Sequence, residues 1–398
     1  MKKLFLVISA LLVAGANAQT VRRAAIGFYN VENLFDTIAS ADYIDGTLSR
    51  KNPAFHRSIP LDSVKLLPHE EYKGPWSDEL LVGKRAVRHL GSADEFTPNS
   101  AKRYDTKTYN HKLANTAKVI SEIGSKYTRS APAVVGMVEI ENRQVLEDLV
   151  KQPALAKYNY GIVHFNSYDF RGIDNALIYQ KGRFVVTDAW KKELKIFNEN
   201  GKREYTRDLL VVTGRLDGDK VAFFVNHWPS RRGGEAISLP KRNAAAALLK
   251  QQMDSVRALD SSYRLIAMGD FNDDPISPSF RNYVKAVGDP AQLSETMPYY
   301  NPMYKMYKSG VASLAYQDAP NLFDQMILSA NLINQGKAPS ERYTMLATEV
   351  YAPAYLINKD GNFKGYPFRS WSGDTWTGGY SDHFPVFTVL QKAAGGTD

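Results

Sequence analysis

Apolar residues along this chain gather into short runs that stop abruptly at polar side chains. Residues 25–29 stop at Asn30-Val31-Glu32-Asn33, and residues 133–138 at Glu139-Ile140-Glu141-Asn142. Residues 221–225 stop at Asn226-His227, and residues 265–268 at Gly269-Asp270-Phe271-Asn272. Runs of this length predict buried strands that deliver polar groups at their carboxyl ends. Further strands are predicted at 160–164, 176–179, 184–186, 209–213, 322–328 and 384–390, with a hairpin turn over 216–221. A helical period replaces this pattern in two places. Leu113, Thr116, Ala117, Ile120 and Ile123 share one stripe that ends at Gly124. The alanines at 244–247 with Leu248, Leu249, Met253 and Val256 predict a helix to about Leu259, with Pro240 in its first turn. Residues 144–149 read as a shorter helix.

Three stretches carry neither period: 37–109, 275–320 and 331–379. They are polar and rich in glycine and proline, with aromatics such as Phe96, Tyr299, Tyr316, Trp371 and Trp376 spread through them. Loops this long predict a lid or a substrate-binding excursion held to the core by its rings. The whole predicts one α/β domain over 19–392 with a mixed or largely antiparallel core, no internal repeat, and a frayed tail at 393–398.

Composition narrows this reading. With 398 residues, 44% apolar and 23% charged, the chain is that of a soluble globular protein. Lys2 and Lys3, the apolar run 4–14 and Ala16-Asn17-Ala18 predict a cleaved export signal over 1–18, and so a periplasmic or secreted protein. The apolar run is shorter than the ~20 residues that span a bilayer, so no stable membrane insertion is expected. The formal net charge is +8, and without Lys2 and Lys3 it is +6, which suits an anionic substrate. There is no cysteine, which excludes disulfides, thiol catalysis, cysteine-ligated zinc and a lipid on a mature N-terminal cysteine. A monomer is expected.

The polar strand ends carry the candidate chemistry. Asp270 and Asn272 are two residues apart and share a face in extended backbone, although an Asx-rich turn after a strand would read the same way. Asn30, Glu32, Glu139, Asp270, Asn272, His227, Asp382 and His383 together supply hard oxygen donors and two imidazoles. Such a set suits Mg²⁺ or Mn²⁺ better than zinc. A hard cation would neutralise phosphate charge, and histidine would move protons near neutral pH. No glycine-rich phosphate loop with a following lysine is present. Glu141 competes with Glu139, because the two share a strand face. Arg231 and Arg232 read as solvated loop charges, within reach of a nearby phosphate.

The ordered pieces resemble the endonuclease/exonuclease/phosphatase superfamily, related to DNase I. They are Phe28-Tyr29-Asn30-Val31-Glu32, Met137-Val138-Glu139-Ile140, Asn226-His227-Trp228-Pro229-Ser230, Gly269-Asp270-Phe271-Asn272, Leu322-Phe323-Asp324-Gln325-Met326 and Ser381-Asp382-His383-Phe384-Pro385. The resemblance implies a four-layer α/β sandwich of two packed mixed β-sheets flanked by helices, here with long loop insertions. It implies metal-dependent hydrolysis of phosphate esters, with nucleic acid or nucleotides as the leading substrate class. Small-molecule or lipid-headgroup phosphoesters are the alternative, and a non-catalytic binding protein on the same fold is the other. Carried over by position, Glu139 is expected to hold the metal, with Asn30 and Glu32 around its water shell and Asp382 in contact with it directly or through water. Asp270 is expected to orient or deprotonate water, and Asn272 and His227 to hold phosphoryl oxygens. His383 is expected to face the phosphate as base or electrostatic partner, its tautomer set by Asp324. Arg171 is a candidate phosphate clamp.

Overall fold

The computed structural model describes residues 21–37, 93–167, 169, 171–198, 200–201, 203–334 and 338–394. The expected export signal, most of the 37–109 excursion and residues 395–398 lie outside these. The strands are β1 (Val21–Leu34), β2 (Val134–Ile140), β3 (Tyr160–His164), β4 (Asp174–Gln180), β5 (Phe184–Lys192), β6 (Ile196–Phe197) and β7 (Arg203–Glu204). Next come β8 (Leu209–Leu216), β9 (Asp219–His227), β10 (Arg264–Asp270), β11 (Ala286–Val287), β12 (Tyr299–Tyr300), β13 (Leu314–Tyr316) and β14 (Ala319–Asn321). The last are β15 (Asp324–Ser329), β16 (Thr344–Val350), β17 (Trp371–Ser372), β18 (Thr375–Trp376) and β19 (Val386–Ala393). The helices are α1 (Thr106–Glu122), α2 (Ser125–Thr128), α3 (Arg143–Val150), α4 (Pro153–Ala156), α5 (Glu235–Leu259) and α6 (Met303–Lys308).

Two mixed sheets form the centre. One has six strands in the order β16-β19-β1-β2-β4-β3, and the other has seven in the order β11-β12-β15-β10-β9-β8-β5. Each has a parallel pair in its middle, β1 with β2 and β9 with β10, and mostly antiparallel neighbours. Side chains alternate across each strand and so serve two interfaces. On β1, Ile26 and Phe28 enter the core between the sheets, whereas Tyr29 and Val31 join Leu113, Ala117 and Ile120 of α1 and Leu146 of α3 on the outer face. On β10, Ile266 and Met268 face the other sheet, and Leu265 and Ala267 pack on Leu249 and Met253 of α5. The result is the expected four-layer sandwich. At Gly136 the sheets come so close that a Cβ would sit 2.4 Å from Met268 Sδ, so any larger residue must push Met268 aside.

Local chemistry sets several boundaries. The Asp105 side chain caps α1 by accepting from the Thr108 N–H at 2.8 Å, and Gly124, at φ +67°, follows its end. Helix α5 begins five residues before Pro240, which lies inside the helix and not in its first turn as expected. Side chains serve the carbonyls there: Ser238 Oγ donates to the Gly234 carbonyl at 2.6 Å, and Arg242 to that of Glu235 at 3.1 Å. Strand β1 outlasts the predicted 25–29, because Leu34 pairs with Ile140 after an irregular stretch. Ala393, expected in a frayed tail, is the last residue of β19 and pairs with Val21.

The irregular stretches contain more structure than their composition suggested. Residues 331–379 include β16, an edge strand of the first sheet, and the short hairpin β17–β18. Residues 275–320 add β11 and β12 to the second sheet, and then β13, which forms a hairpin with β14. The expected aromatic anchoring is present where residues are described: Phe96 stacks on Phe35 at 4.5 Å and meets Trp371 edge-on at 6.0 Å. Among the described residues, no helix is long and apolar enough to cross a membrane.

Candidate active site

The parity of the strands determines which polar tips meet. Asn30 continues the inter-sheet row of Ile26 and Phe28, and His227 continues that of Phe223 and Val225. Asp270 follows Ile266 and Met268, and Asp324 starts the row of Met326 and Leu328. Each of the four is therefore the polar end of a core-facing row, and all reach the same end of the sandwich. Asn226 has the opposite parity. It turns toward the helix layer, where it bonds the Phe224 and Met268 carbonyls and accepts from Trp228 Nε1 at 3.1 Å.

These tips touch. Asn30 Nδ2 of the first sheet donates to Asp270 Oδ2 of the second at 3.2 Å. Asp270 Oδ1 accepts the Asn272 N–H at 3.0 Å, and His227 Nε2 lies 3.5 Å from Asp270 Oδ2. His383 Nδ1 is 2.7 Å from Asp324 Oδ2, and its Nε2 faces Asp270 and Asp382, each at 3.9 Å. Burial opposes charge on the His383 ring. The Asp324 carboxylate, through charge and hydrogen bond, and then Asp270 and Asp382, outweigh it and hold His383 well above the usual histidine range. For His227, burial and then the charges of Arg207, Arg171 and His383 work together and hold it well below that range. The surroundings thus push the two imidazoles in opposite directions. Burial pushes the Asp270 carboxyl up to about 6; the His383 charge opposes this and Asp324 adds to it.

The outer half of the site is built on strained backbone. Between Asn30 and Leu34 the β1–β2 register shifts, with Glu32 at φ +51° and Asn33 at φ +59°. Beside it, Glu139 at φ +64° interrupts the β2–β4 pairing. Non-glycine residues in this region cost about 1–3 kcal/mol each, and such strain gathers at functional sites. Here it re-aims Glu139, whose Oε2 accepts the Asn33 N–H at 3.0 Å.

Cations of the chain hold the three acids expected near a metal. Arg171 donates to Glu139 Oε1 at 3.2 Å and to Asn33 Oδ1 at 2.8 Å. Arg369 donates to Glu32 Oε1 through Nε and Nη2 at 3.2 and 3.1 Å, and Asp382 lies 3.5 Å from Nη2. Lys112, fully buried, donates to Ser370 Oγ at 2.6 Å. Burial lowers Lys112 to about 8 against the pull of Glu32, Asp382 and Glu139. Burial and then Asp382 push Glu32 up to about 7, against Lys112 and Arg369. Among the described residues, no group of three or more histidine, aspartate or glutamate side chains is gathered closely enough to hold a metal ion. The donor chemistry suits a hard cation all the same. Oxygen donors dominate, with the carboxylates of Glu32, Glu139 and Asp382 among them.

Several sequence expectations change with these contacts. Arg171, the candidate phosphate clamp, is itself held by Glu139 and Asn33. One Asn272 Nδ2 hydrogen bond goes to the Trp228 carbonyl at 3.0 Å, so part of the amide holds the loop after β10. Glu141, the competitor of Glu139, is buried and accepts the Asp36 N–H at 2.8 Å, which gives it a backbone-holding role. Arg231 is not a solvated charge. It bonds the Asn272 carbonyl, Glu235 and Asp274, and lies 4.5 Å from the Phe323 ring centroid. Arg242 and Asp273, both buried, pair at 2.6 Å and tie α5 to the loop after Asp270. Lys112, Ser313, Arg369 and Ser370 were not foreseen. Three of the four lie in stretches without a period, where no strand end marks them.

The family model for the Endonuclease/Exonuclease/phosphatase family matches residues 90–392. No curated protein matches the chain. Among solved structures, an endonuclease/exonuclease/phosphatase family protein from Bacteroides thetaiotaomicron is 13% identical with a TM-score of 0.47, covering 94% of this chain and 100% of that one. A humanized D. rerio TDP2 is 15% identical with a TM-score of 0.45, covering 72% and 93%. A mannosyl-6-phosphatase from Bacteroides thetaiotaomicron VPI-5482 is 15% identical with a TM-score of 0.40, covering 71% and 93%.

Proposed function

Because the chain belongs to the endonuclease/exonuclease/phosphatase family, we propose that it hydrolyses phosphate esters with the help of Mg²⁺ or Mn²⁺. The observation that carries this reading is the contact between sheets: Asn30 on Asp270, with the Asp324–His383 pair beside it. Asp270, with its carboxyl near 6, is an acid poised to orient water and take its proton at neutral pH. His383, held charged by Asp324, stabilises negative charge at the phosphoryl group and can return a proton to the leaving oxygen. Neutral His227 donates an N–H to a phosphoryl oxygen, aided by the Asn272 amide. A divalent ion would be held by Glu139, with Asn30, Glu32 and Asp382 around it. When bound it would neutralise phosphate charge and help to activate water. Nucleic acid or nucleotides are the leading substrates, and small phosphoesters or lipid headgroups the alternative. The basic sequence balance supports an anionic ligand in either case. Export is part of the same proposal and rests on residues 1–18; the intact mass of a secreted or periplasmic form would show their loss.

A panel of DNA, RNA, nucleotides, sugar phosphates and phospholipid headgroups, each with Mg²⁺ and with Mn²⁺, tests the reading. Hydrolysis of at least one ester, lost with chelator and in His383→Ala with the fold intact, is the expected result. Wild-type protein inert on the whole panel would leave the fold serving as a binding module.

A further inference from the structure

Arg369 comes from the 331–379 stretch, yet it sits on the acids of the site. Its Nε and Nη2 both donate to Glu32 Oε1, and the next residue, Ser370, donates its backbone N–H to Glu32 Oε2 at 2.6 Å. Ser370 is itself fixed, because its Oγ accepts from buried Lys112 and donates to the Tyr380 carbonyl at 2.8 Å. Two adjacent residues therefore grip both oxygens of a buried carboxylate. The Arg369 side chain is nonetheless 49% exposed. Its bonds to Glu32 use the Nε–Nη2 edge, which leaves the Nη1 side for another oxygen acceptor. A guanidinium matches phosphate by its fork geometry, and one already fixed on one edge loses little freedom on binding. Arg171 is arranged in the same way, pinned by Glu139 and Asn33 with 37% of its side chain exposed. An anion entering this site must approach Glu32, Glu139 and Asp382, which would repel it unless cations stand between.

We propose that Arg369 binds the phosphoryl group of the substrate, with Glu32 and Ser370 as its anchor. This rests on the phosphoesterase reading of the same site. It also makes Arg369 a rival of a divalent cation for Glu32, since both are countercharges to one carboxylate. A purely structural Arg369, tying the 331–379 stretch to the core, makes a different prediction. Its loss would weaken the fold, cation binding and anion binding together.

Titration calorimetry of wild type, Arg369→Gln and Arg369→Lys with Mn²⁺ alone, followed by inorganic phosphate on the Mn²⁺-saturated proteins, separates the two. Arg369→Gln is expected to bind Mn²⁺ as tightly or more tightly, and phosphate about tenfold or more weakly, as befits a lost charge-assisted hydrogen bond. Arg369→Lys is expected to recover part of the phosphate affinity. With an ester that wild type cleaves, KM should rise more than kcat falls. Unchanged phosphate affinity in Arg369→Gln overturns the proposal, as does parallel loss of Mn²⁺ affinity, phosphate affinity and melting temperature. Wild type that fails to bind phosphate at all also overturns it. Wild type that binds phosphate through Arg369 but cleaves no ester overturns only the catalytic reading.

Discussion

Asp324 Oδ2 lies 2.7 Å from His383 Nδ1 and accepts the Ser313 hydroxyl at 2.5 Å. Ser313 in turn donates its N–H to the Asn321 carbonyl, and its own carbonyl accepts the Phe384 N–H at 2.7 Å. One carboxylate oxygen thus orients the imidazole and anchors the hairpin β13–β14, which comes from the 275–320 stretch.

Asp324→Asn should therefore uncouple the ring from its charge. The His383 pKa, held up first by Asp324, should fall toward the ordinary range, and activity should drop about 10²–10⁴-fold. Histidine NMR titration and the pH profile of kcat/KM check this. A base raised in the folded state stabilises below its unfolded pKa, and that stabilisation is lost as pH rises through the folded pKa. The variant should lack this part of the wild-type pH dependence.

Glu32 gives a second pH signature. Its carboxyl moves from 4.5 to about 7 on folding, so the folded chain holds a proton that the unfolded chain releases. The resulting stability is complete below about 4.5 and is lost as pH rises through about 7, up to roughly 3 kcal/mol in metal-free protein. Relative to Glu32→Gln, wild type should become less stable across this window. Denaturation at stepped pH measures it, and added Mg²⁺ or Mn²⁺ should flatten the difference.

Arg242→Met tests the support under the Asp270 loop. Both members of the Arg242–Asp273 pair are fully buried, so removing the arginine leaves Asp273 with only the Ser279 hydroxyl at 2.7 Å and the more distant Arg231 Nη2 at 3.7 Å. A loss of about 3–5 kcal/mol in urea unfolding is expected. The loss should shrink at low pH, where Asp273 is neutral.

Gly136→Ala tests the approach of the two sheets. Its Cβ would meet Met268 Sδ at 2.4 Å and Val225 Cγ2 at 3.1 Å. Overpacking of this kind should cost about 1–3 kcal/mol, read as a lower melting temperature.

The layered fold and most of the site were legible because both depend on one alternation. Core-facing rows that end in Asn30, His227, Asp270 and Asp324 place those residues together once two sheets pack. The reading failed where that alternation is absent. Strand β16 is an edge strand with partly buried residues on both faces, so its sequence lacks contrast. Strands β11 and β12 are two residues long, too short to show a period. Arg231 looked like a solvated loop cation because charge pairing across the fold leaves no mark on local sequence. Arg369 was hidden for the same reason.

The first and last described strands, β1 and β19, lie side by side, with Val21 opposite Ala393. Ser381 Oγ, just ahead of β19, bonds the Asn30 carbonyl across a separation of 351 residues. During synthesis the ribosome must therefore carry translation past His383, more than a hundred residues beyond Asp270, before the two can meet. Catalytic competence would then arrive all at once, and a nascent or prematurely stopped chain would carry none of it.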